Sequence, residues 1–228
     1  MYTKFLLLFL GVCLLVQSSF GKALPSSEES EATVEATEIE DEFGPSEKLL
    51  IYVVSQIAIV SESGLDPGKK LLQDVIAEIS ALEEKNEEIT ARLEEYSNIV
   101  SKIEELKSED NSDEYTGYTG IIELMTELGD LLDKSNLTLI EEPTSTDKLF
   151  EESLQKNGLS DLDQLFKEKF EEVFAKEFYE TVDRILKSAT IEEWPEKTEI
   201  HDWLESFKME NNLEKKVELI EKFFDFYQ

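Results

Sequence analysis

Among its 228 residues the chain carries 53 Asp and Glu against 22 Lys and Arg, a formal net charge of −31 at pH 7. A field of that sign repels phosphate backbones and anionic lipid surfaces and favours cations or basic protein patches, which argues against nucleic acid as a partner. One cysteine, Cys13, and one histidine, His201, are too few for a disulfide or a Cys/His zinc set.

Residues 1–21 have the pattern of a secretory signal: Lys4, then the apolar run Phe5 to Val16, then Ser19-Phe20-Gly21. The run is 12 residues long, short of the ~20 that a spanning helix needs. Removal after Gly21 is therefore expected, together with an exported, soluble, extracellular product. Cys13 would leave with the leader. The next apolar stretch, Leu49 to Val60, is also 12 residues long and is interrupted by Gln56, so no membrane span is expected. Residues 22–45 hold eight acids against Lys22 and close on Gly44-Pro45, the composition of a disordered acidic segment.

Ser46 can cap a first helix through about Ser61, and Asp66-Pro67 is a start signal for a second. Nothing breaks that second pattern before Ser108, which predicts one long helix over 67–107, roughly 60 Å at ~1.5 Å per residue. Its heptad places Leu72, Ile79, Asn86, Leu93 and Val100 at one seam position and Val75, Leu82, Ile89, Tyr96 and Ile103 at the other, a coiled-coil register. A parallel self-pair would set Glu78 against Glu83. Leu71, Ile76 and Ile99 also widen the stripe, so antiparallel packing inside the chain's own bundle is the better expectation, with self-association as the alternative. Asn86 reads as a polar lock on that seam.

A polar loop is expected from Ser108 to Gly120, then an amphipathic helix from Ile121 that ends before Pro143. Asp147 to Lys156 reads as a short helix stopped by Asn157-Gly158. Ser160 with Asp163 resembles a capping box that opens a helix to about Lys187, and Thr190, Thr198 and Asn212 are candidate caps for three short closing elements. With no strand alternation, the prediction is an all-α bundle of about seven helices. Residues 46–149 contain no Phe whereas nine Phe lie from Phe150 onward, which suggests an aliphatic subdomain over 46–142 and an aromatic one over 143–228.

Assembled chemistry is sparse, and no enzyme activity or cofactor is expected. His201 beside Asp202 has no Ser or Cys nucleophile motif with it and reads as a surface residue. The acidic loop from Asp110 to Glu114 departs from a calcium loop at Tyr115 and Ile121, and Gly64 to Lys70 lacks the phosphate-loop spacing. Asn136-Leu137-Thr138 is a glycosylation sequon, and Tyr115, following four acids, is a candidate for sulfation. Phe166, Phe170, Phe174 and Phe178 form a ladder that is either a second core or the wall of an apolar-ligand pocket. The function expected is that of a secreted, acidic, non-catalytic binding protein engaging a basic extracellular protein or a cation. The alternative is a carrier of a small apolar ligand.

Overall fold

Proline at the first helical position has a dihedral already suited to the helix and lacks an N–H that would have no partner there. Pro45 fills that position in the computed structural model, which describes Phe9, Val12, Cys13 and residues 43–108, 114–191 and 194–227. The Glu47 carboxylate accepts the Gly44 N–H at 2.7 Å and closes the end. Helix α1 then runs Pro45–Ser80, 36 residues, straight through Pro67, where the sequence suggests a fresh start. An interior proline costs about 3 kcal/mol. Here Leu65, Gly68, Leu71 and Leu72 are all buried around it, and packing on both flanks outweighs the local penalty.

The helix expected over 67–107 is instead two. Residues 81–86 form a turn between α1 and α2, Glu87–Ser108. Lys85 folds its ammonium back onto the carbonyls of Ser80 and Leu82, at 2.8 and 2.7 Å, which satisfies acceptors that a helix end leaves open. Asn86 accepts the Ile89 N–H at 2.8 Å through Oδ1. It is an exposed N-cap and not a lock within a seam. With the turn in place the coiled-coil register does not continue, and Leu82, expected on the seam, is 39% exposed. Six consecutive polar residues from Glu83 to Glu88 offer the core nothing to hold, so the chain turns there.

Helix α3 spans Glu114–Asp133 and takes in the Tyr-Thr-Gly repeat that the sequence assigns to a loop. Tyr118 and Ile121, three residues apart, both pack on the core and carry the helical period back past Gly120. Helix α4 is Ser145–Lys156, capped reciprocally: Thr144 Oγ1 accepts the Asp147 N–H at 3.1 Å and Asp147 Oδ2 accepts the Thr144 N–H at 2.8 Å. It stops as expected at Asn157-Gly158, and Gly158 takes φ 110°, a conformation other residues rarely adopt.

The single helix expected from Ser160 to Lys187 is broken. Helix α5 covers Leu159–Val173 and α6 covers Lys176–Ser188, with Phe174 and Ala175 between them. Gly158, not Ser160, precedes the first turn of α5. Helix α7 is Lys197–Met209; it is preceded by Glu196, so Thr198 is not its cap. Helix α8 is Leu213–Phe224, where Asn212 Oδ1 accepts the Lys215 N–H at 3.1 Å as predicted, and a 3₁₀ turn follows over Asp225–Tyr227. Among the described residues no helix starts at Thr190.

Among the described residues there are eight α-helices and no strand, a helical bundle. Helix α1 is its axle: α2, α3, α4, α5 and α6 all pack against it, while α7 and α8 pack in series onto α6. A continuous cluster of buried side chains passes from the aliphatic helices into the aromatic ones. Tyr227 at the far end donates its hydroxyl to the Ser46 carbonyl at 3.0 Å, which ties the last turn to the first. By length and composition α1 could cross a membrane; in this fold 56% of its apolar window is buried by other helices. The acidic segment expected over 22–45 lies outside the described residues except for its last three.

Candidate functional site

Ring ladders spaced by four drift by about 40° per step around a straight helix, so four rings cannot all face one partner. The break at Phe174 and Ala175 resolves this. Phe166 and Phe170 stand on α5, Phe178 on α6, and Phe174 at the corner, all within 2% of complete burial. Ring centroids are 4.5 Å apart for Phe170 and Phe174 and 4.8 Å for Phe174 and Phe178. Phe207 of α7 meets Phe174 at 5.9 Å and Phe178 at 5.7 Å, and Tyr52 of α1 stacks on Phe178 at 5.8 Å. These are the separations of rings packed against one another.

The outer end of the ladder is covered by Phe9, which lies in the stretch expected to be a leader. Phe9 lies 5.4 Å from Phe166 and 6.4 Å from Phe170, ring to ring. Phe9, Val12 and Cys13 are 1%, 1% and 0% exposed. Their spacing places them on one helical face. Cys13 Sγ is 3.7 Å from the buried Ser61 hydroxyl, and burial pushes the thiol up to about 12. Sequence reasoning missed this contact because an all-apolar run has no polar side to show which face is seated.

A second cluster joins the two halves. Arg92 of α2 reaches Asp147 of α4 at 2.9 Å, lies 5.3 Å over the Phe150 ring and donates to the Lys134 carbonyl at 3.4 Å. Burial pushes the Asp147 carboxyl up, but hydrogen bonds from Thr144 and the Arg92 guanidinium outweigh it and hold the group below its ordinary value. Beneath it the Tyr96 hydroxyl meets Ser135 Oγ at 3.2 Å, and burial pushes the phenol up to about 12. Asp133 is raised by burial and by Asp130 beside it, and its Oδ1 has no hydrogen-bond partner.

Asn136, the sequon residue, sits in this region at 0% exposure. Its Oδ1 accepts from the Thr138 N–H at 3.0 Å and from the Thr138 hydroxyl at 2.7 Å, while Nδ2, the atom a glycan would take, is buried. Tyr115 falls in the first turn of α3 and its side chain lies outside the described residues, as do Asp110 to Asp113. His201 is exposed on α7, with Asp202 Oδ1 at 3.8 Å. Among the described residues no cluster of His, Cys, Asp and Glu has the arrangement to hold a metal ion.

The surface carries its charge unevenly. Between α2 and α3 a groove of about 490 Å³ is laced by ion pairs, Lys102 to Glu127 at 2.5 Å and Lys134 to Glu95 at 3.0 Å. Where the α1–α2 turn enters α2, by contrast, Glu83, Glu84, Glu87 and Glu88 are exposed; Lys85 among them is spent on the Ser80 and Leu82 carbonyls, and Arg92 approaches Glu88 at 4.0 Å. Thr144 Oγ1 meets Glu88 at 3.3 Å, so the loop before α4, with Glu141, Glu142 and the 60%-exposed Leu139, follows from the same end of the bundle. No family model, curated protein or solved structure matches this chain.

Proposed function

We propose that this chain is a secreted, acidic, non-catalytic binding protein whose acidic end engages a basic surface on another extracellular protein. One observation carries the reading: Glu83, Glu84, Glu87 and Glu88 stand exposed where the α1–α2 turn enters α2, Lys85 among them is turned onto backbone carbonyls, and Arg92 approaches Glu88 at 4.0 Å. Such a face keeps its field available to a partner, whereas Lys102 and Lys134 offset part of the charge in the groove between α2 and α3.

The test compares binding to immobilised poly-lysine, a stand-in for a basic patch, after reversing Glu83, Glu84, Glu87 and Glu88 to Lys, and after reversing the equally exposed Glu171, Glu172, Glu177 and Glu180. The first set is expected to weaken binding about tenfold more than the second, and the unaltered complex to weaken steeply as salt shortens the reach of charge. Equal losses from both sets would mean that bulk charge alone is at work and would defeat a defined face.

A second reading, carriage of a small apolar ligand by the aromatic half, is favoured by the seating of Phe9 against Phe166 and Phe170. If residues 1–21 are cut away on export, that apolar contact is vacated.

A further inference from the structure

The leader-like segment shows by its own side chains what its seat accepts. A ring, a branched aliphatic group and an uncharged thiol occupy it: Phe9 on Phe166 and Phe170, Val12 buried within the same core, and Cys13 against the hydroxyl of Ser61. All three side chains are essentially without solvent contact. Ser61 is itself 0% exposed.

The floor of this seat resists collapse. Phe166 is backed by Gly64 of α1, where an added Cβ would stand 2.1 Å from the ring, so the ring already fills the space behind it. Phe170 is held from the side by Phe174 at 4.5 Å, and Phe174 in turn by Phe178 and Phe207. With its rings pinned, a vacated seat keeps much of its shape, because packed interiors relax only partially around missing groups.

We propose that removal of the leader opens an apolar slot over Phe166, Phe170 and Ser61, and that the slot binds an uncharged, elongated apolar molecule carrying one hydrogen-bonding group. The inference rests on the reading that residues 1–21 are cleaved, and it moves the ligand from between the four rings to the outer side of the first two. Phe166 and Phe170 supply the contact area. The Ser61 hydroxyl, which loses Cys13 as its neighbour, receives the polar end of the ligand, a hydroxyl or carbonyl. A carboxylate is disfavoured by the −31 charge of the chain and by the lack of a cation among these contacts.

The experiment expresses the full chain through its own leader in a secreting cell and, separately, in a cytosol that leaves the leader in place. Intact mass of the secreted protein reads the removal step. Each form is then titrated with the uncharged fluorescent probe N-phenyl-1-naphthylamine, with dodecanol and dodecanoate as competitors. The processed protein is expected to bind one probe per chain at least about tenfold more tightly than the full chain, with dodecanol displacing it at about tenfold lower concentration than dodecanoate. Ser61→Leu, which fills the slot, is expected to abolish binding with an unchanged helical melt, and the leader-retaining chain gives the same comparison should that variant misfold. A secreted protein that keeps residues 1–21 would overturn the cleavage reading. Cleaved protein that takes up the probe no better than the full chain would overturn the slot alone. Uptake of several probes per chain with a broadened melt would mark a loosened core and equally overturn it.

Discussion

The two halves of this bundle reach a packed interior by different means. Residues 46–142 do it with three helices of 36, 22 and 20 residues, whose large buried side chains are Leu, Ile, Val and Met with a single aromatic, Tyr96. Residues 143–228 use five helices of 12 to 15 residues held by Phe150, the four-ring ladder, Trp203, Phe207, Phe223 and Phe224. An aromatic side chain buries 150–250 Å² by itself, so a short helix with two rings can match a longer one with an aliphatic stripe. Aliphatic packing therefore demands length, and ring packing permits corners such as the one at Phe174.

Truncation inside each half tests that contrast most directly. Phe174→Ala removes a ring that touches three others and is expected to cost about 4 kcal/mol, against about 3 kcal/mol for Leu72→Ala in α1, measured by urea unfolding. A reversed order would mean that the ladder is loosely packed and that the difference between the halves is one of composition only.

Next comes the bridge between them. Arg92→Met strips Asp147 of its guanidinium partner and uncovers one face of Phe150, with an expected loss of about 3 kcal/mol in the same assay. Asp147, with a lowered pKa, contributes stability that is present above the ordinary carboxylate value and lost as pH falls through its lower folded value. The variant should accordingly show a flatter acid limb than the unaltered protein, and parallel limbs would remove Arg92 from the bridge.

A pair of glycine substitutions sharpens the comparison further. Gly64→Ala forces a methyl group into the Phe166 ring, and is expected to destabilise by about 2 kcal/mol despite the better helix propensity of alanine. Gly117→Ala in α3 meets nothing within 4 Å and should stabilise by about 1 kcal/mol. Two helical glycines would then answer the same change with opposite sign, read from thermal midpoints.

The smallest effect is expected at Asp133, whose carboxyl is raised by burial and by Asp130. Its charged form opposes folding at neutral pH, so Asp133→Asn should raise the melting temperature at pH 7. That gain should shrink as pH falls through the raised folded value, because the native acid is then protonated as well. A gain that stays constant with pH would assign the effect to hydrogen bonding and not to charge.

Much of the local punctuation was legible in advance. The Asn157-Gly158 stop and the Asn212 cap rest on backbone rules that act within three or four residues, whereas the first helix, expected to be capped by Ser46, starts at Pro45 with Gly44 as its cap. Asn86 shows where such rules compete: its heptad position suggested a seam residue, while its amide is a strong N-cap, and the polar run around it decided for the cap. The candidate site was less legible. The ladder could be named residue by residue, but which side of each ring meets another ring, and that Phe9 covers the outer two, depends on helices far away in the chain.

The sequence alone determined the helical class, the acidic character and the division between aliphatic and aromatic halves, because side-chain period, charge and volume are carried by the residues themselves. Only the tertiary structure decided that α1 passes through Pro67, that the chain turns at 81–86, that the ladder bends at Phe174, and that Asn136 and Ser61 lie inside. Local preferences amount to about 3 kcal/mol even for proline. The apolar surface shared among five helices packed on one axle exceeds that, and which surface is shared is set by neighbours distant in sequence.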